Sequence, residues 1–273
     1  MLDKPRISPS LIKDYWKYRN KQMCGLLFEA KWVDRIIPTT PYEELSDLIL
    51  YGYRFEFQVT GAIPNRHDEE PPMLTTASGK PSAKQAHLDA QAERCKRALE
   101  YYNFAIPGET SFLMEYDPGG TYTMKCYQDI KTIRKGEQCF IDLKSTGMLD
   151  NKWEDTGWGM EKLQYKTQLM IQPAFAILSA REVLHIEHIP YYFYVASNTN
   201  PDDARFIQIR FDERTLLEYF DMIEDVGTSV FVEQDLGFTP IPDYKRCKDC
   251  PLREKCEHRI DVPHIDLLII GGE

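Results

Sequence analysis

The sequence predicts an α/β protein with a central mixed sheet flanked by helices. Three observations carry that expectation. Runs rich in β-branched and aromatic residues recur at 110–117, 127–134, 137–146, 188–197 and 205–211. Helix-period segments fall before, between and after them, at 8–24, 42–60, 83–102, 160–181 and 213–225. The pair Lys135-Gly136 between two of the β-prone runs is a hairpin signal, so the middle strands form an antiparallel meander.

Each element has its own local warrant. In 8–24, Ser8 is a natural N-cap and Pro9 suits the first helical position. Leu11, Tyr15 and Tyr18 follow at helical spacing. In 42–60, Leu45, Leu48, Ile49, Gly52, Phe55 and Val59 form one stripe, with Glu56 beside it. Segment 62–82 carries Pro64, Pro71, Pro72, Pro81 and Gly79 and reads as a loop. Helix 83–102 is amphipathic; its His87 and Cys95 read as packing residues. Pro118-Gly119-Gly120 turns the strand at 110–117 into the next. The polar stretch 145–159 holds Trp153 and Trp158 and reads as a loop pinned to the core, and Pro173 marks a kink in helix 160–181. The apolar run at 264–271 is expected to add a last strand.

At 273 residues the chain suits a single domain spanning 1–273, and 42% hydrophobic with 28% charged content is ordinary for a globular protein. No apolar run reaches the roughly 18 residues a membrane helix needs, and the first ten residues have no secretory h-region. The expectation is a cytoplasmic protein without a membrane partner. The net charge of −10 argues against a generally basic nucleic-acid binder but leaves room for a local basic groove.

Chemistry concentrates in the hairpin. A two-residue turn at Lys135-Gly136 pairs Arg134 with Glu137 and, counting outward, sets Asp129 opposite Asp142. Opposed residues share a face, and Lys144, two residues on, shares it too. Like charges facing each other destabilise a sheet. A divalent cation with hard oxygen ligands, Mg²⁺ or Mn²⁺, would relieve them. A solvated hairpin with its acids in water fits the same residues equally well. Gln164, Gln168 and Gln172 line one face of helix 160–181.

Seven cysteines are present, an odd number in a chain without a signal peptide, so a disulfide framework is not expected. Cys247, Cys250 and Cys256 stand as C-x₂-C-x₅-C, a ligand pattern suited to zinc or an iron–sulfur cluster. Either wants a fourth ligand from elsewhere, and His258 is one candidate for zinc. Lys245, Arg246, Lys248, Arg253, Lys255 and Arg259 give the same segment a local basic excess that could meet phosphates or simply face water.

Asp129 with Ile141-Asp142-Leu143-Lys144 resembles the D…(D/E)xK core of the PD-(D/E)XK nuclease superfamily, and the chain as a whole is similar to the RecB-like nucleases. Gly52-Tyr53-Arg54-Phe55-Glu56 matches their early G-x-x-F-E motif. Gln168 matches the glutamine on the helix after the D-x-K strand, although Gln172 stands where a tyrosine is usual. The arrangement of Cys24 before the core and C-x₂-C-x₅-C after it is similar to the iron–sulfur subset, which includes AddB and the CRISPR adaptation nucleases.

The resemblance implies a restriction-endonuclease-like core and a metal-dependent DNA nuclease, with exonuclease action expected, in recombination, repair or phage- or CRISPR-type DNA processing. It implies Glu56, Asp129 and Asp142 with the Leu143 carbonyl as Mg²⁺ or Mn²⁺ ligands, Lys144 and Gln168 as further catalytic residues, and Tyr165 as a substrate contact. It implies a [4Fe–4S] cluster on Cys24, Cys247, Cys250 and Cys256, with zinc as the rival occupant, joining the N-terminal helix (8–24) to the segment 241–263. Partners are then DNA, single- or double-stranded, and possible membership of a recombination or CRISPR-type complex; a phage protein would work in the host cytoplasm. The alternative of another class is a non-catalytic nucleic-acid-binding or assembly module with a zinc knob.

Overall fold

A computed structural model describes residues 3–65, 67–149, 158–159 and 163–262. The expected strand at 264–271, the residues around Trp153 and positions 160–162 lie outside the described residues, and the helix expected from 160 begins only at Thr167, after a turn at 163–166.

A short strand β1 (Arg6–Ile7) leads into helix α1 (Pro9–Arg19). Ser8 caps that helix, its hydroxyl accepting the Leu11 N–H at 3.2 Å, with Pro9 in the first turn. The helix stops earlier than the pattern predicts. Lys21 takes a positive φ of 59°, and the N–H groups of Gln22 and Met23 both turn back to the Lys17 carbonyl. A separate helix α2 (Gly25–Trp32), not anticipated from the sequence, then begins with Cys24 as its N-cap residue. The single helix expected at 42–60 is also divided. A 3-10 turn at Tyr42–Glu44 ends in extended Leu45, and helix α3 (Asp47–Thr60) follows Ser46. Helix α4 (Ala83–Tyr101) is capped by Ser82.

Strands β2 (Glu109–Tyr116), β3 (Thr123–Arg134) and β4 (Glu137–Thr146) form the expected meander. After helix α5 (Thr167–Leu184), which runs through Pro173, come β5 (Tyr191–Ser197) and β6 (Ala204–Ile209). The long helix α6 (Glu213–Leu236) continues well past the expected end at 225, and a short helix α7 (Tyr244–Lys248) carries Cys247. The sheet has six strands in the order β1-β3-β4-β5-β6, with β2 on the other side of β3. β4 and β5 are parallel and the other long pairs antiparallel, so the sheet is mixed.

Both faces are covered. Every residue of β5 is buried, as expected for a strand between two helix layers. Tyr191, Phe193 and Val195 join α1, α2, α5 and α6 in one apolar cluster. Tyr192, Tyr194 and Ala196 join α3 and α4 in the other. The period-2 alternation of the strand divides the core into these layers.

The C-terminal segment docks on the corner between α1 and α2. Phe238 packs against Tyr18 and Phe28, and the Thr239 N–H donates to the Tyr18 hydroxyl at 3.2 Å. The approach is close enough that a Cβ on Gly25 would stand 2.3 Å from the Thr239 carbonyl oxygen. Gly25→Ala should therefore lower unfolding stability by about 1–3 kcal/mol through overpacking, whereas Gly120→Ala, which meets no atom within 4 Å, should be near neutral; denaturant midpoints of the two variants check this.

Candidate active site

The turn at Lys135-Gly136 has the positive φ angles, 52° and 86°, of a two-residue hairpin turn. The register follows from it: Arg134 faces Glu137, and the ladder runs to Ile130 facing Ile141. It ends there, one pair short of Asp129 and Asp142. Where the next backbone bonds would form, the Asp129 carboxylate takes over, its Oδ2 accepting the Leu143 N–H at 2.7 Å. Met124 pairs with Tyr116 of β2 on one edge and with Ile7 of β1 on the other, so β1 occupies the edge that β4 has left. The two central strands thus part at Asp129.

The opposite neighbour marks the same point. The β2–β3 ladder skips the pair Ser111 and Asp129, and Ser111 has a positive φ of 51°. Cys126 and Ile130, four residues apart, would share a face on a regular strand but lie in opposite apolar clusters. The alternation of β3 is therefore interrupted next to Asp129, the kind of irregularity that re-aims a side chain.

Three elements deliver charge to this fork. Asp142 is 1% exposed. Its Oδ1 accepts a hydrogen bond from Gln172 Nε2, and its Oδ2 is ion-paired with Lys144. Glu56 comes from α3, in the layer on the other face, where Gly52 lies over Ser145 of β4, the residue after Lys144. Burial pushes the Glu56 carboxyl up to about 7, with Lys144 opposing and Asp142 adding to the rise. Burial, then the charges of Glu56 and Asp142, push Asp129 well above the usual carboxylate range. Lys144 and the Leu143 N–H pull the other way. Burial works against the Lys144 ammonium, but Asp142, Asp129 and Glu56 outweigh it and hold its pKa above the ordinary lysine value.

The structure thus brings Glu56, Asp129, Asp142 and Lys144 within mutual electrostatic reach. Gln168 is exposed and Tyr165 is 78% exposed. The glutamine that reaches Asp142 is Gln172, one helical turn after Gln168. Sequence reasoning also passed over Tyr191, a buried β5 tyrosine whose hydroxyl is pushed far up by burial and by Asp142 and Asp129. Its signal was the β-prone run at 188–197, which spoke only of packing. Lys13 of α1 was likewise passed over. His87 has the packing role expected, with Nε2 2.9 Å from the Ser197 carbonyl.

The donor set fits a hard divalent cation. Three carboxylates share a partly buried fork with Lys144; burial first, and then neighbouring carboxylate charge, raises the pKa of Glu56 and Asp129. Among the described residues, no three carboxylate, imidazole or thiol groups already close round one point as a ligand set.

The four cysteines of the second candidate site also gather. Cys24, Cys247, Cys250 and Cys256 are all partly buried. Burial raises the Cys250 thiol, and Cys24, Cys247 and Cys256 add to the rise. The Ile241 N–H donates to Cys24 Sγ at 3.4 Å, and Arg246 ties the segment to the Lys21 and Ile241 carbonyls. The donor chemistry fits a thiophilic metal.

No protein-family model matches the chain, and no curated protein does. Among solved structures, the fold is similar to that of a protein from Eubacterium rectale named "Putative exonuclease". The TM-score is 0.66 at 18% identity, over 96% of this chain and 91% of that one. A second structure, SSO0001, is 20% identical over 63% of this chain and 67% of its own, with a TM-score of 0.28, too low to carry weight. The likeness to the first establishes the α/β fold with its central mixed sheet. Among the described residues, no helix is long and apolar enough to cross a membrane.

A carboxyl with a folded pKa near 7 against an unfolded value of 4.5 holds its proton more tightly in the folded state. Its contribution to stability is complete below the unfolded value and is lost as pH rises through 7. In EDTA, Glu56→Gln should flatten the fall in melting temperature between about pH 5 and 8 and raise the value at pH 8 by roughly 2–5 °C. Thermal melts of both proteins across that range are the check; a variant that melts at or below wild type at pH 8 would contradict the assignment.

Proposed function

We propose that the protein is a metal-dependent nuclease that hydrolyses phosphodiester bonds in DNA, with exonuclease action. The observation that carries the reading is the fork at Asp129, where Asp129 and the Asp142–Lys144 pair of two parting strands meet Glu56 from a helix on the far face. The fold likeness to a protein named as an exonuclease supports it.

Glu56, Asp129 and Asp142, with the Leu143 carbonyl, would hold Mg²⁺ or Mn²⁺. Such a cation, when bound, supplies Lewis-acid charge for a phosphate oxygen and lowers the pKa of water. The chain's own residues do the rest. Asp142 anchors the Lys144 ammonium, which is kept protonated and can face negative charge developing on the phosphorus oxygens. Gln172 fixes the Asp142 carboxylate from the opposite oxygen, so the acid cannot rotate away. Asp129 is oriented by the Leu143 N–H. Tyr165, just before α5, and Gln168, in its first turn, are both exposed and would be free to touch substrate. The acidic net charge suits a protein that shares its grip on DNA with a partner in a recombination or CRISPR-type complex.

For the cysteines the reading is a [4Fe–4S] cluster on Cys24, Cys247, Cys250 and Cys256, closing the α1–α2 corner onto the C-terminal segment in a structural role. Anaerobically purified protein should contain iron and acid-labile sulfide, and Cys250→Ser should lose both and melt at lower temperature. Zinc without sulfide would replace the cluster with a zinc site, and absence of all three would remove the metal reading of these cysteines.

End-labelled single- and double-stranded DNA should be degraded in Mg²⁺ or Mn²⁺ and left intact in EDTA. Lys144→Ala and Asp129→Asn should each lower the rate by roughly 10²–10⁴-fold. Circular substrates should resist. Wild-type protein that is inert on every substrate, with its metal sites loaded, would favour a binding module instead.

A further inference from the structure

Lys13 lies on α1, and no acid among the described residues pairs with it. Its helix is fixed at the sheet: β1 pairs Arg6 and Ile7 with Thr123 and Met124 of β3, the strand that carries Asp129. Ser8 then caps α1, and α1 packs against α5, the helix that carries Gln172. Leu11, Ile12, Asp14 and Tyr15, on either side of Lys13 in the chain, are all buried. Lys13 itself is half-buried. Burial and the Lys144 ammonium hold its pKa below the ordinary lysine value, with Asp142 pulling the other way. The side chain therefore stands within electrostatic reach of the Asp142–Lys144 pair.

A half-buried lysine normally pairs with an acid or extends its ammonium to water. Lys13 has no hydrogen bond or ion pair among the described residues. The acid next to it is occupied: Asp14 Oδ1 takes Lys17 at 2.9 Å, and Oδ2 takes Lys31 at 2.6 Å and the Trp32 Nε1–H at 3.1 Å. Asp142 is occupied too, by Gln172 and Lys144. Two ammonium groups thus stand near one fork, one anchored and one without a partner. A cation left partly desolvated and unpaired lowers stability, and such costs collect where a ligand supplies the missing charge.

We propose that Lys13 is a second phosphate-binding cation of the site, taking a non-bridging oxygen of a nucleic-acid phosphate at the fork. The inference rests on the nuclease reading and adds to it a residue from the N-terminal helix. The ligand is an oxyanion of the sugar–phosphate backbone, so the contact is indifferent to base sequence. α1 would then border the fork alongside α3, which carries Glu56, and α5, which carries Gln172.

The test uses the full-length protein as wild type, Lys13→Met and Lys13→Arg. Methionine keeps the length and apolar stem and removes the charge; arginine restores it. Cleavage in Mn²⁺ should fall by roughly 10- to 100-fold in kcat/KM for Lys13→Met, the value of one charge-assisted hydrogen bond. Most of the loss should lie in KM, and Lys13→Arg should recover the larger part. Binding of a labelled oligonucleotide in Ca²⁺, followed by anisotropy across a KCl series, should show a salt slope shallower by about 0.7–0.9, one phosphate contact. Lys13→Met should melt at or above wild type, because a partly desolvated, unpaired charge has been removed.

Wild type that cleaves DNA alongside a Lys13→Met of equal kcat/KM and equal salt slope would overturn the inference and leave the nuclease reading standing. Wild type that neither binds nor cleaves nucleic acid would remove both. A Lys13→Met that melts well below wild type would make the lysine structural and overturn it also.

Discussion

β3 and β4 stop pairing one step short of their two aspartates, and the site is arranged around that break. A ladder that continued would hold Asp129 against Asp142 on a flat, closed face with no room for a third group. Parting the strands there leaves the Leu143 N–H without a backbone acceptor. A buried N–H needs a partner, and the Asp129 carboxylate supplies it at 2.7 Å. One hydrogen bond therefore satisfies the backbone at the fork and fixes the orientation of a site acid. The vacated edge of β3 is filled by β1, which brings the start of α1 alongside. The positive φ of Ser111 on the other flank lets β2 follow the change in course.

The fork also explains how residues from opposite sides of a sheet come together. α3 packs with the cluster that includes Ile130, Ile141 and Leu143, and α5 with the cluster that includes Phe140 and Phe193. An unbroken sheet between such layers would keep Glu56 and Gln172 apart. Where the strands separate, both reach Asp142 and its surroundings. The surrounding core makes this affordable. β5 is buried along its whole length and lies in parallel register against Phe140–Thr146, so the acids project from a strand clamped by apolar packing on both faces. Charge repulsion is concentrated where a cation could relieve it.

How far the sequence revealed this depends on what kind of information each feature needs. The hairpin was legible because Lys135-Gly136 permits one short turn, and a two-residue turn fixes register; the observed pairing of Arg134 with Glu137 and Ile130 with Ile141 is the one counted from it. The meander and the helices α4 and α5 were legible from period alone. The fork was not, because strand parting leaves no mark in hydrophobic alternation. That Gln172, and not the Gln168 singled out by the resemblance, meets Asp142 was hidden for a related reason: both lie on one face of α5, and only the height of that helix over the sheet decides which reaches the carboxylate. The turn at 20–24 escaped notice because Lys21, not a glycine or an asparagine, takes the left-handed conformation there. Lys13 was invisible in the sequence because its neighbours Asp14 and Lys17 suggest an ordinary charged helix face. Only the structure shows that Asp14 is committed to Lys17 and Lys31.

Charge balance ties the two lysines to the carboxylates. With Glu56, Asp129 and Asp142 ionised, Lys144 alone leaves the fork with an excess of two negative charges, and a phosphodiester would be repelled. One divalent cation brings that group to neutrality, where it has no long-range attraction for an anion. Adding Lys13 leaves one positive charge, matched to the single negative charge of one backbone phosphate. At an effective dielectric near 20, a unit charge about 4 Å from another is worth roughly 4 kcal/mol, so on this reading Lys13 would decide whether a metal-loaded fork attracts a phosphate or is indifferent to it. An acidic protein with a net charge of −10 has little general attraction for nucleic acid to fall back on. On the nuclease reading, selectivity for a phosphate at the fork would come from confining positive charge to the place where the carboxylates would hold a metal ion.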